Sequence, residues 1–436
     1  MNAQGCWRFR RFELIPAERR LTRNGRVVHV QPKTFDVLLA LVEKAGEVVS
    51  REFLLASVWA ETHVADANLT NAVAALRKVL GRHSIETVSK LGYRFQLEIS
   101  ARPGISSVAA NLLREGKALM ERRTTECVAG AQNLFWQAIA EEPGCADAWA
   151  WLARASRFLE KFHVAREYNR NLAGAAFRRA FALEPDNSSA HQFYTACQAD
   201  RGEAAAAMTR LLDRVSRFSD DAHSYAGLVL VCRFSGLLDA SIAAHERAVQ
   251  IDPGFSTSVP HTYFSRCDYR RVIESYAGGG NPGRGYLDFA AWACAGPEDQ
   301  IVPEISQRLT AGGLPPLFEA LLRSLLCAIQ NDAAGVKAIS DAHDLAEDPE
   351  SALYFSRHLA RCGCTEEAIR LLRQSVSAGM AIPVMMERDP WLRSLQREAA
   401  FHALKLEVSE RHEQAKKAFQ AAGGARLLTA KKSRTA

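Results

Sequence analysis

Between residues 66 and 95 the chain carries side chains suited to holding a polyanion and reading it. In the run Asn68 to Leu80, Leu69, Val73, Leu76 and Leu80 recur at i, i+4, i+7 and i+11, the spacing of one buried stripe on a helix. The opposite side offers Asn68, Asn71, Ala74, Ala75 and Lys78, with Thr70 and Arg77 completing the candidate set. Amides can pair with base edges, alanines allow close approach, and cations meet phosphates. A helix lying in a DNA major groove needs that combination, although a charged helix face is often only solvated. The next run, Ile85 to Phe95, reads as two short strands around a Gly turn. It forms a β-hairpin wing with Ser89, Lys90, Tyr93 and Arg94 as candidate contacts.

The preceding residues must position this helix. Trp7–Phe9, Phe12–Ile15, Arg20–Thr22 and Arg26–Val30 are short alternating segments interrupted by Pro16 and Asn24-Gly25. Asn-Gly is a strong two-residue hairpin signal. Pro32 suits a first helical position, and Phe35, Leu38, Leu39 and Val42 form an i, i+3, i+4, i+7 stripe. Gly46 can take a left-handed cap after that helix. Val48-Val49 then make a brief strand, and Ser50 can cap a helix from Arg51 to Glu61. The expected order is four strands, a helix, a strand, two helices and a hairpin.

This order and these residues resemble the OmpR/PhoB-type winged-helix output domain (Trans_reg_C) of bacterial transcriptional regulators. The resemblance runs through Pro32 to Val42, Gly46 to Arg51, Val58-Trp59, Leu76 to Leu80, Glu86 to Val88 and Gly92 to Phe95, so it covers almost the whole module. Asn68-Leu69-Thr70 is more similar to the CadC-like branch, which lacks a receiver domain. The resemblance implies double-stranded DNA as partner and two copies, a homodimer, on repeated half-sites. It places groove-facing positions on Asn68, Asn71, Ala74, Ala75, Arg77 and Lys78, and wing contacts near Ser89, Lys90 and Tyr93. Positions that often hold Arg in response regulators are Ala74 and Ala75 here, which leaves Asn71 as the main base reader.

Charge agrees with that reading. Residues 1–100 carry a net +5 of the chain's +6, so the remainder is almost neutral. With 436 residues, 48% of them hydrophobic, there is material for more than one core. The first residues lack the apolar core and cleavage site of a signal peptide. Apolar runs such as Val37–Val42 and Leu228–Cys232 are far shorter than the ~20 residues a membrane helix needs. The expectation is a cytoplasmic protein with no membrane partner. Ten cysteines are scattered singly except for Cys362 and Cys364. No second Cys/His pair stands at zinc-site spacing, so Cys362-Gly363-Cys364 reads as a helix-hairpin turn in preference to a metal or redox pair.

Beyond residue 110 the pattern turns helical and periodic. Pro185, Ser219 and Pro253 recur at a period of 34, with Pro143 displaced by an insertion. Ala131, Phe135 and Ala138 precede Pro143; Ala173, Phe177 and Ala180 precede Pro185; Ala207 and Leu211 precede Ser219; Ser241, His245 and Ala248 precede Pro253. A late unit repeats the scheme with Phe355, Leu359, Gly363, Ala368 and Leu372. These units resemble tetratricopeptide (TPR) repeats, helix pairs whose small residues let neighbours pack closely. The signal is faint between 255 and 345, and Asp389-Pro390-Trp391 with the helix from Glu398 to Gln420 reads as a cap.

The expected architecture is therefore an α+β winged helix-turn-helix over 1–100, a linker over 101–110, an all-α TPR-like superhelix over 111–422, and a basic disordered tail over 423–436. A superhelix of this kind presents a concave surface for an effector peptide, protein or small ligand. Tyr225, Tyr263, Tyr269, Arg266, Arg270 and Arg271 are candidates to line it, though interhelical packing and solvated charge account for them better. Gly278 to Gly283 formally spells G-x-G-x-x-G, but it follows a helical stretch and contains Pro282, so it reads as a loop. None of the twelve histidines stands in a catalytic pattern. The reading is a one-component transcriptional regulator, not an enzyme, with no cofactor. The alternative is a TPR-type interaction scaffold whose winged helix contacts RNA polymerase.

Overall fold

A computed structural model describes residues 5–16, 19–23, 26–59, 66–89, 91–97, 100–103, 106–277, 285–296, 300–345 and 348–429. The chain divides into two compact units, residues 1–107 and 108–436.

The first unit opens with four short strands, β1 (Gly5–Phe9), β2 (Phe12–Ile15), β3 (Arg20–Arg23) and β4 (Arg26–Val28), paired antiparallel in sequence order. Asn24-Gly25 lies outside the described residues, but Arg23 faces Arg26 across the β3–β4 pair, the register of a two-residue hairpin. Alternation puts Phe12 and Leu14 in the core. Helix α1 (Pro32–Glu43) buries Phe35, Leu38 and Val42. Beyond it, Gly46 takes φ +84° and donates its amide to the Phe95 carbonyl at 3.2 Å. β5 (Val48–Ser50) leads into α2 (Arg51–Val58), whose first turn is capped by Ser50 accepting from the Phe53 amide at 3.1 Å. α3 (Asp66–Leu80) follows, then β6 (Ile85–Val88) and β7 (Gly92–Phe95).

One strand was not expected. Ser100–Pro103 forms β8, antiparallel to β1, and the five-stranded sheet runs β4-β3-β2-β1-β8. The linker expected over 101–110 is thus partly strand, and the next helix begins at Ser107. Ser-Ala-Arg-Pro has no apolar alternation to mark it as a strand, and its partner lies at the other end of the domain sequence. A second sheet, β5-β7-β6, carries the wing.

The second unit is all helix among the described residues. Its N-terminal part comprises α4 (Ser107–Glu121), α5 (Thr125–Glu141), α6 (Ala146–Lys161), α7 (Arg166–Leu183), α8 (Ser188–Asp200), α9 (Ala204–Arg217), α10 (Ala222–Phe234) and α11 (Leu238–Ile251). A middle part of mostly shorter helices follows: α12 (Val259–Ser265), α13 (Tyr269–Ala277), α14 (Tyr286–Ala295), α15 (Ile301–Thr310), α16 (Pro316–Ile329) and α17 (Ala333–Asp341). Then come α18 (Pro349–Arg361), α19 (Thr365–Ser377), α20 (Pro383–Arg388), a 3-10 turn (Pro390–Arg397), α21 (Ala399–Ala421) and α22 (Gly424–Thr429). The short helices explain why the repeat signal fades between 255 and 345.

The repeat positions behave as TPR-like packing requires. Ala131, Ala180, Ala207, Ala248 and Ala368 are buried where helices cross, and Gly236 and Gly363 turn two of the hairpins at φ +72° and +75°. The tail expected to be disordered from Gly423 is partly ordered: α22 buries Leu428.

The concave surface is also corrected. Helices α10, α14 and α18 are buried on nearly all sides, so this part of the inner face is filled by the protein itself. Arg233 on α10 pairs with Glu350 on α18, and the Ala381 amide donates to the Phe234 carbonyl at 2.7 Å. One apolar core runs from Phe162 to Leu428. Tyr225 and Tyr269 are buried in it, whereas Arg266, Arg270 and Arg271 sit outside in exposed ion pairs with Asp239, Glu274 and Asp268. No helix among the described residues is long and apolar enough to cross a membrane.

Candidate nucleic-acid interface

α3 is held by a single apolar face. Leu69, Ala72, Val73, Leu76 and Leu80 are buried against α1 and α2. At ~100° per residue the centre of the opposite face falls on Asn71 and Lys78, with Ala67, Ala74 and Ala75 beside them. All five are exposed, as are Asn68 and Thr70 on the two flanks. The outward surface is flat at its middle, where alanines stand, and carries an amide and an ammonium one helical turn pair apart. Asp66 opens the helix at its positive end and meets Arg51 at 3.4 Å. Thr70 Oγ1 donates to the Asp66 carbonyl at 3.1 Å, so its hydroxyl is partly occupied by its own helix.

Arg77 does something the sequence did not reveal. Its Nε and Nη2 donate to the Ile85 carbonyl at 2.9 and 2.7 Å, and Nη2 also reaches Thr87 Oγ1 at 2.7 Å. The guanidinium ties the end of α3 to strand β6, so it fixes the wing relative to the helix. Arg77 spacing alone could not separate this role from a phosphate contact, because both need a cation in the last turn.

At the wing, Ser89 and Leu91 are exposed, Leu91 at 60%, while Lys90 lies outside the described residues. Arg94 is partly exposed and pairs with Glu86 at 3.3 Å. Tyr93 corrects the expectation: it is only 2% exposed, so its ring is core and not a surface contact. Alternation along β7 sends Tyr93 and Phe95 inward together and leaves Arg94 outward. The Arg51 guanidinium covers the Tyr93 ring at 5.1 Å, which links the start of α2 to the wing. β7 lies close to β5 at Gly92, where an added Cβ would stand 1.9 Å from the Val49 carbonyl oxygen.

Gly278 to Gly283 lies outside the described residues. Cys362 ends α18, Cys364 precedes α19, and burial pushes both thiols above their usual range. Among the described residues no group of three His, Cys, Asp or Glu could hold a metal. His245 Nδ1 meets Thr257 Oγ1 at 2.9 Å within its repeat.

A small antiparallel sheet, three helices with an exposed third, and a hairpin wing define a winged helix-turn-helix domain. Residues 25–95 match the family described as "Transcriptional regulatory protein, C terminal" (Trans_reg_C), and the N-terminal domain of this chain is a member of it. The transcriptional regulator HilA of Salmonella typhimurium is 40% identical over 79 residues, 17% of this chain and 14% of HilA. The transcriptional activator CadC of Escherichia coli is 31% identical over 92 residues, 20% of this chain and 18% of CadC. A solved structure of the DNA-binding domain of E. coli CadC, 28% identical, covers 23% of this chain and 98% of that domain with a TM-score of 0.21. The similarity to HilA and CadC therefore spans less than a fifth of either protein's length and is confined to the winged helix.

Proposed function

We propose that this chain is a sequence-specific DNA-binding transcriptional regulator whose winged helix reads the major groove through α3. The observation that carries the reading is the split of α3: five apolar residues bind it to its own domain, and its amide-bearing, alanine-rich face is exposed. The matching relatives are transcriptional regulators, which supports the same role. Asn71 reads a base edge, Ala74 and Ala75 allow the helix to sit deep, and Lys78 meets a phosphate. Asn68 and Thr70 lie on the flanks of the groove. Ser89 and Arg94 bring the wing to the neighbouring backbone. Two copies bind repeated half-sites, and the TPR-like unit senses an effector or partner.

Selection of bound fragments from a random duplex pool by the full chain tests this. A recovered motif with two half-sites is the expected result, with affinity falling against salt at a log–log slope near −0.9 per phosphate held. Asn71→Ala should relax preference at one base position by about 1–3 kcal/mol while the fold persists. A chain with no duplex preference at low salt would overturn the reading.

A further inference from the structure

The helical unit holds a cleft of about 970 Å³ between α7, α8 and α19, a size that accommodates a small organic molecule. One wall is aromatic: Phe177, Phe181 and Tyr194 pack edge to face, with ring centroids 5.5 and 5.8 Å apart. Phe181 and Tyr194 are only half-buried, so apolar ring surface faces the opening.

The charges that line the cleft decide what it takes. Its two acids are already satisfied from within: Asp200 holds Arg157 at 2.5 Å and Lys161 at 3.8 Å, and Glu160 holds Arg157 at 2.9 Å and Arg170 at 3.0 Å. Two further lining cations, Arg178 and Arg201, carry no ion pair among the described residues. A cation entering the cleft finds no free carboxylate. An anion finds two free guanidiniums beside an aromatic wall, and guanidinium matches carboxylate geometry with paired N–H donors.

Gly174 supplies a separate argument. It stands inside α7, where glycine costs about 1 kcal/mol relative to alanine. A Cβ there would meet only the tip of Arg178, at 3.5 Å, so no close packing demands the glycine. Its effect is to keep the cleft open. The far wall comes from α19, through Gln374 and Ser377, close to the point where Gly202 and Gly379 touch backbone to backbone. An occupant would therefore bridge repeats distant in sequence.

We infer that this cleft binds a small amphipathic organic acid, its apolar body on Phe177, Phe181 and Tyr194 and its carboxylate on Arg178 and Arg201. The inference rests on the sensing role proposed above for the helical unit, and it names the class of effector. The test is dye displacement on the full chain without DNA: anilinonaphthalene sulfonate is bound, then displaced by phenylpropionate or decanoate, with phenylpropanol and decanol as uncharged counterparts. Saturable displacement at one site is expected, with the acids at least about tenfold stronger than the alcohols. The Arg178→Ala/Arg201→Ala double variant should lose that tenfold advantage and keep the alcohol affinity. Gly174→Leu, which fills the cleft and improves the helix, should abolish both, while the remote Arg393→Ala changes nothing. Equal binding of acid and alcohol, an unaltered double variant, normal binding by Gly174→Leu, or no saturable displacement would each overturn the assignment. Because no DNA enters the assay, these outcomes stay separate from those of the fragment selection.

Discussion

At the scale of single residues, the two cations in the last turn of α3 divide the labour. Lys78 points outward and is exposed, whereas Arg77 is spent on the Ile85 carbonyl and Thr87. Their substitutions should therefore differ in kind. Lys78→Ala should reduce the salt slope of DNA binding by about 0.9, the signature of one lost phosphate, with domain stability nearly unchanged. Arg77→Ala removes hydrogen bonds from a charged donor and should cost the domain about 2 kcal/mol of stability, read by urea unfolding of the isolated residues 1–107. Its salt slope should change little if the wing is restored by low temperature. A slope change in Arg77→Ala equal to that of Lys78→Ala, with no loss of stability, would reverse the roles. The exposed face of α3 was legible in the sequence because helical periodicity separates Leu69, Val73, Leu76 and Leu80 from Asn71 and Lys78 without any tertiary information. Arg77 was not, since its partner is a backbone carbonyl, and carbonyls leave no mark in a sequence.

At the scale of elements, the wing is a hairpin whose placement depends on close backbone approach. Gly92 is the contact point: β7 passes β5 so closely that a methyl group would overlap the Val49 carbonyl. Gly92→Ala should break the β5–β7 ladder, which runs Val48↔Arg94, Val49↔Tyr93 and Ser50↔Gly92, and destabilise the domain by at least about 2 kcal/mol. Amide hydrogen exchange should then rise at Val49 and Tyr93 before it rises in α1. Full retention of protection there would show that the ladder tolerates the extra atom. The hairpin itself was readable from Gly92 and the alternation around it. The inward direction of Tyr93 is not legible there, because a short strand at a domain edge fits either phase until its neighbours are known. β8 leaves no mark in the sequence for a related reason: Ser-Ala-Arg-Pro has no apolar alternation, and the strand it pairs with, β1, lies far away in the chain.

At the scale of the helical unit, periodicity revealed how each helix meets the next but not how early repeats meet late ones. The 34-residue spacing is a local property, whereas Arg233 and Glu350 come together from two separate helices deep in the chain. His261 on α12 reaches the same carboxylate at 3.0 Å, and Lys161 at the end of α6 reaches Asp348 at 3.2 Å, so the start of α18 gathers cations from α6, α10 and α12. Glu350→Gln leaves Arg233 buried without its partner and should cost roughly 3 kcal/mol, whereas replacing both with Leu and Met should recover most of it. The same interior makes the unit sensitive to acid. His358 is fully buried, with Tyr286 Oη on its Nε2 at 3.0 Å and Ser324 Oγ on its Nδ1 at 2.8 Å. Burial, reinforced by the Arg357 charge, holds its imidazole well below the usual histidine range, so it stays neutral in the folded chain. The unfolded chain takes up that proton near pH ~6.5, and the folded chain does not. The stabilisation is therefore complete above that pH and is lost as pH falls beneath it, by up to about 1.4 kcal/mol per pH unit from this group. Urea midpoints for residues 108–436 should decline between pH 6.5 and 5, above the range where carboxylates such as Glu350 are protonated. His358→Gln keeps a neutral donor and acceptor in the site and should flatten that decline, even if its midpoint at pH 7.5 is lower. An equally steep decline in the variant would move the acid sensitivity to the half-buried His191 and its neighbours, whose imidazole burial holds at about 4.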